Sequence, residues 1–101
     1  MILYNVTVNV EEEIREEWID WMRNKHIGEV MGTGCFMEFK FMKLLSEDPN
    51  NTGTTYCIQY FCENPDKLNH YLENFAPALQ KEHFEKYKGK HVAFRTLLEE
   101  I

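Results

Sequence analysis

No stretch of this sequence is apolar for long enough to cross a membrane, which takes about 20 predominantly apolar residues. Met1 runs straight into Ile2-Leu3-Tyr4-Asn5 with no basic segment before it, so no signal peptide is expected. There is no lysine- or arginine-rich cluster either. The net charge is −6, and the longest charged run is acidic, Glu11-Glu12-Glu13. Nucleic acid and anionic membrane are therefore excluded as expected partners, because both call for a basic patch. The acidic run reads as a solvated helix start, where carboxylates meet the positive end of the helix. Cysteine is scarce: Cys35, Cys57 and Cys62 make an odd number, and no Cys-x-x-Cys occurs. Cys57 and Cys62 differ in parity along one strand and so point to opposite faces. A disulfide framework is not expected, and a reducing cytoplasm fits. No glycine-rich phosphate loop or nucleophile elbow is present. The pairs His26-x-x-Glu29 and His70-x-x-Glu73 have helical spacing, but no third ligand accompanies either. No metal and no cofactor is expected.

What is there describes one domain over residues 1–101, long enough to bury about two-thirds of the surface of its unfolded chain. Hydrophobic residues make up 44% and aromatics 14%, a globular composition. Residues 2–10 alternate as a strand. Residues 12–31 form a helix with Ile14, Trp18, Trp21, Met22 and His26 on one stripe, ended by Gly32-Thr33-Gly34. A strand over 35–45 leads through the turn-rich segment 46–53 into a strand over 54–62. Asn64-Pro65 starts a second helix, which Pro77 breaks near Ala76. A further helical piece carries Leu79, His83 and Tyr87, and Gly89 ends it. Residues 91–99 are the last strand. The order β-α-β-β-α-β predicts an α+β, ferredoxin-like fold with a four-stranded antiparallel sheet and both helices on one face.

Strand parity predicts an apolar face of Tyr4, Val6, Val8, Tyr56, Ile58, Tyr60, Val92, Phe94 and Leu98, turned towards the helices. It leaves Asn5, Thr7, Thr55, Gln59 and Arg95 on the other face, with Leu3, Phe61 and Leu97 among them. The second strand is undecided between Phe39 and Phe41 on one side and Glu38, Lys40 and Met42 on the other. Large apolar residues on a polar face suit a surface covered by a second copy of the chain. A guanidinium enclosed there would need acceptors or an anion. Arg95, Gln59, Asn5 and Thr7, with Tyr4 and Tyr56, are thus the candidate ligand-binding residues. His26 and His83 sit on apolar helix stripes. The plain reading of each is a core histidine satisfied by a hydrogen bond. The alternative is a general base or donor beside a tyrosine in a cleft, which makes His26, His83 and Tyr60 the catalytic candidates.

Several segments together resemble an uncharacterised bacterial family of small proteins known only as a domain of unknown function. They are Tyr4-Asn5-Val6-Thr7-Val8, Trp18-x-x-Trp21-Met22, His26-Ile27, Thr33-Gly34-x-Phe36, Thr55-Tyr56-x-x-Gln59-Tyr60, Ala76-Pro77-x-Leu79, His83 and Phe94-Arg95-Thr96. The resemblance covers nearly the whole chain; Gly28 departs from it where the family often has proline. That family is in turn similar to the dimeric α/β-barrel superfamily, in which two ferredoxin-like protomers pack sheet on sheet. The resemblance implies a homodimer. It does not choose among the superfamily's activities, which include cofactor-independent and haem-degrading monooxygenases. Haem-degrading members use an asparagine on the first strand, a tryptophan near the end of the third and a histidine on the second helix. Here Asn5 and His70 stand in such places, but Tyr60 or Phe61 replaces the tryptophan. Two expectations follow: a cytoplasmic dimeric barrel binding a small aromatic or carboxylate-bearing molecule without a cofactor, or a non-catalytic structural dimer. A monooxygenase of the haem-degrading or antibiotic-biosynthesis type is a third, weaker expectation.

Overall fold

The computed structural model describes residues 1–101. Apolar residues at every second position make β1 (Ile2–Val10), and its alternate residues Ile2, Tyr4, Val6, Val8 and Val10 are all buried. A short 3₁₀ turn (Glu12–Ile14) leads into α1 (Arg15–Trp21), a five-residue π turn (Met22–His26) and α2 (Ile27–Gly32). Strand β2 (Glu38–Lys43) is shorter than the periodicity predicts, and β3 (Thr54–Cys62) follows the hairpin loop. Helix α3 (Pro65–Asn74) is capped by Asn64, whose side chain accepts a hydrogen bond from the Lys67 N–H at 2.9 Å. The helix stops at Phe75, whose φ of −120° leaves the helical range, just before Ala76-Pro77 open α4 (Ala76–Lys86). Strand β4 (His91–Glu99) completes the chain. None of these helices is long and apolar enough to cross a membrane.

The strands form one antiparallel sheet in the order β2-β3-β1-β4. The first helical run is continuous, as its apolar stripe predicts, but the π turn adds a residue in mid-course. With that shift, Trp18 before it, Met22 and His26 at its ends, and Ile27 and Val30 after it are all buried. At Gly53, where the hairpin enters β3, φ is +76°, and a Cβ would lie 2.5 Å from the Val10 carbonyl oxygen. Only glycine fits there without displacing the β1 backbone.

Register corrects the predicted parity of β4. Arg95 stands opposite Val6, Ala93 opposite Val8 and His91 opposite Val10, so these three lie on the helix side. Val92, Phe94 and Leu98 lie on the open side instead, 69%, 59% and 50% exposed. The reason is that both halves of β4 carry apolar residues, so hydrophobicity alone cannot set its parity. Pairing with β1 decides it, and the small Ala93 meets the helix layer. On β2, Phe39 and Phe41 pair with Tyr60 and Ile58 on the helix side, leaving Glu38, Lys40 and Met42 on the open side. The open face is thus more apolar than predicted, with Leu3, Phe61, Phe94 and Leu98 around Asn5, Thr7 and Gln59.

Candidate binding cleft

The cleft lies between the helix side of the sheet and the helices above it. Strand alternation turns Tyr4 and Val6 of β1, Ile58 and Tyr60 of β3 and Arg95 of β4 towards it. The π turn supplies Met22 and His26, α3 supplies Tyr71, and α4 supplies Leu79, Gln80 and His83. Together with Val30 of α2, these residues enclose a chamber of about 20 Å³, room for a single water molecule. Outside it, between α4 and β4, runs an open groove of about 540 Å³. Its walls are Pro77, Gln80, Lys81, His83, Phe84, His91, Val92, Ala93 and Arg95. Gln80, His83 and Arg95 line both spaces and so stand at the passage between them.

His83 is held from behind. The Trp18 indole N–H donates to His83 Nε2 at 2.9 Å across the core. An indole can only donate, so Nε2 must be the acceptor, and the neutral ring carries its proton on Nδ1. Burial pushes the pKa of His83 down to about 3, and the neighbouring His26, His91 and Arg95 add to the depression. No carboxylate offsets them. Nδ1 has no hydrogen bond within the chain, yet it is not among the sealed polar atoms. At neutral pH His83 therefore faces the cleft as a donor and cannot act there as a base.

His26 is different. Burial lowers its pKa to about 4, partly opposed by Glu29 and Glu82 and reinforced by Arg95 and Lys25. Its ring stacks on Trp21 at 4.9 Å and lies 5.3 Å from the His83 ring, centroid to centroid. Nδ1 is buried with no partner. His26 is thus neutral and keeps an uncommitted lone pair. Burial holds the Tyr60 hydroxyl protonated far above the usual phenol range, aided by Tyr71 and Tyr4 and opposed by Arg95. Tyr71 is raised in the same way. The Tyr4 hydroxyl accepts from Gln80 Nε2 at 3.3 Å.

The structure brings together some of the sequence candidates and separates others. Tyr60, His26, His83, Tyr4 and Arg95 meet at the chamber. Asn5, Thr7 and Gln59 lie on the opposite, open face, where Asn5 Nδ2 donates to Thr7 Oγ1 at 3.0 Å. Arg95 therefore does not join them, because register turns it to the helix side. Tyr56 is buried beneath Trp18 and its hydroxyl faces Arg15 at 3.5 Å, outside both spaces. Asn5 and the exposed His70 of α3 stand on opposite sides of the sheet, so the arrangement implied by the haem-degrading resemblance is not formed. Gln80, Tyr71, His91 and the role of Trp18 behind His83 escaped the sequence reading. The i, i+4 spacing of Leu79, His83 and Tyr87 marked the inward stripe of α4, but nothing in the sequence marked its Trp18 partner.

With this geometry in hand, comparison with known proteins decides the family. A family model described as a domain of unknown function (DUF4286) matches residues 1–101. The chain belongs to the DUF4286 family. It has no match among curated proteins. Among solved structures, this DUF4286 chain resembles a dimeric ferredoxin-like protein from an uncultured marine organism, with a TM-score of 0.73 and 10% identity, covering 99% of this chain and 97% of that one. It also resembles an ethyl tert-butyl ether degradation (EthD) family protein from Bacillus halodurans, with a TM-score of 0.68 and 14% identity over 100% of both chains. SnoaB, a cofactor-independent oxygenase from Streptomyces nogalater, aligns with a TM-score of 0.64 and 10% identity over 98% of this chain and 91% of its own. At these identities the likeness establishes a ferredoxin-like fold for this DUF4286 member.

Proposed function

We propose that this chain is a cytoplasmic homodimeric α/β barrel that binds a small aromatic or carboxylate-bearing molecule, without a cofactor, in the cleft between its sheet and helices. The observation that carries the reading is Arg95. Its guanidinium makes no ion pair or hydrogen bond within the chain, yet it sits where the groove meets an aromatic chamber. Ligand sites are concave, mostly apolar and supplied with a few convergent polar groups, and the groove falls within their usual size range of about 300–1,000 Å³. If the cleft is reactive, the proton acceptor is His26, because Trp18 leaves His83 only a proton to donate. The open sheet face supports the dimer: Leu3, Phe61, Phe94 and Leu98 form the kind of apolar patch that a second copy covers. The dimeric ferredoxin-like neighbour agrees with that arrangement.

A fragment screen by thermal shift tests the ligand reading. Stabilisation by aromatic or carboxylate fragments is expected in the wild type and reduced in Gln80→Ala and His26→Ala. A screen in which no fragment stabilises the wild type would sink it.

One observation favours the second reading, a non-catalytic dimer. The chamber that holds His26 and the tyrosines has room for only about one water. That reading takes the same residues as barrel-filling structure and expects no fragment to bind in the chamber or the groove. The monooxygenase reading draws support from likeness to solved structures such as SnoaB and needs the chamber to enlarge.

A further inference from the structure

The groove between α4 and β4 has one chemical bias. The chain has 17 acidic residues against 11 lysines and arginines, yet no carboxylate lines the groove or the chamber. The polar groups that do line them include donors in fixed roles. Arg95 is an unpaired guanidinium. His83 must carry its free proton on Nδ1, because Trp18 occupies Nε2. On the rim, Lys81 lies 3.9 Å from Glu85 with both side chains exposed, a loose pair that leaves Lys81 as a second cation beside Arg95. Beside these donors, Pro77, Phe84 and Ala93 give apolar surface, with Phe84 54% exposed.

Resting on the cleft reading above, we infer that the groove is a site for small aromatic monocarboxylates, with the carboxylate taken by Arg95 and the His83 Nδ1–H and the ring laid on Phe84. A planar guanidinium matches a carboxylate with two parallel hydrogen bonds, which a lysine cannot imitate. A neutral amide of the same shape keeps one carbonyl acceptor but presents an N–H₂ where the second acceptor should be, so one of the two hydrogen bonds and the charge pairing with Arg95 are lost. The site therefore discriminates by charge at one end and by shape at the other.

The test is an NMR titration of the full chain with sodium benzoate, benzamide and inorganic phosphate. It follows backbone amides and the histidine ring nitrogens of wild type, Arg95→Gln and Arg95→Lys. Arg95 is an exposed residue of an edge strand, so both variants are expected to fold. Benzoate should give saturable shifts at α4 and β4 and move the His83 Nδ1 resonance. Benzamide should bind at least about tenfold more weakly, the scale of a hydrogen bond to a charged group. Arg95→Gln should erase the preference, and Arg95→Lys should keep part of it. Equal binding of benzoate and benzamide, or an unchanged preference in Arg95→Gln, overturns the inference while leaving a neutral-ligand cleft intact. Phosphate binding as tightly as benzoate overturns the aromatic part. A benzoate titration with no shifts, joined to an empty fragment screen, overturns both this inference and the cleft reading.

Discussion

The buried histidine pair makes the stability of this fold sensitive to mild acid. The perturbation is a fall in pH from 7.5 to 5.0. An unfolded histidine titrates near its ordinary value of 6.5, whereas burial holds His26 at about 4 and His83 at about 3 in the fold. Between pH 6.5 and 4 the unfolded chain therefore binds more protons than the native one. Stability then rises with pH: both contributions are fully present above 6.5 and are lost as pH falls towards the folded values. Each site loses about 1.4 kcal/mol per pH unit in that window. At pH 5.0 this is about 2 kcal/mol for each histidine and about 4 kcal/mol for the pair. For a domain whose whole stability is about 5–15 kcal/mol, that is a large share. At about 4–8 °C per kcal/mol for a chain of this size, the midpoint should drop by about 15–30 °C. Urea unfolding followed by tryptophan fluorescence at several pH values measures it. Trp18 and Trp21 both lie against the pair and report its environment. The informative quantity is the pH slope, because His26→Gln and His83→Gln also change stability directly. Each variant should lose about half of the wild-type slope in this window. The reasoning is refuted if both core variants keep the full slope.

Three other outcomes are expected. Phe94→Glu places a charge on the open sheet face and should give a monomer at micromolar concentration by light scattering; a wild type that is already monomeric would remove the basis for the dimer. Trp18→Phe strips His83 of its donor and leaves a buried nitrogen unsatisfied. It should cost about 1–3 kcal/mol beyond the lost packing and let the ring proton move between nitrogens, visible in long-range ¹H–¹⁵N spectra; an unchanged Nδ1–H pattern would contradict the assigned tautomer. Gly53→Ala forces a positive φ on a residue with a Cβ and drives that atom against the Val10 carbonyl. A loss of about 1–3 kcal/mol by urea unfolding is expected, and a neutral result would mean that the hairpin relaxes at no cost.

The fold was legible because its signals were local and agreed with one another. Alternation located β1 and β3, Asn64-Pro65 marked the start of α3, and Pro77 marked its break before α4. Cys57 and Cys62 were placed on opposite faces by parity, and the register agrees: Cys57 pairs with Thr7 on the open side and Cys62 with Ile2 on the helix side. The site was less legible because it depends on contacts distant in sequence. In β4, His91, Ala93, Arg95 and Leu97 compete with Val92, Phe94, Thr96 and Leu98; the first set holds two apolar residues and the second three, so periodicity favours the set that in fact faces outwards. Only pairing with β1 chooses between them, and that choice moves Arg95 from the open face to the cleft. The tie between Trp18 and His83 spans 65 positions and is formed by tertiary packing alone. Helical spacing showed that both side chains point inward, but not that they meet.

The π turn at Met22–His26 has a genetic consequence. It amounts to one residue more than an unbroken α-helix would hold. Losing any one of the exposed Arg23, Asn24 or Lys25 would remove no buried side chain and could leave a regular helix. Everything beyond the deletion would keep its facing relative to Trp18, because the wider turn already absorbs the about 100° that one extra residue adds. Ile27 and Val30 would stay in the core, and His26 in the cleft. A single-codon deletion among these three positions would thus be tolerated much like a surface substitution, whereas the same loss from α1 or α2, which hold no spare residue, would turn one buried stripe away from the other.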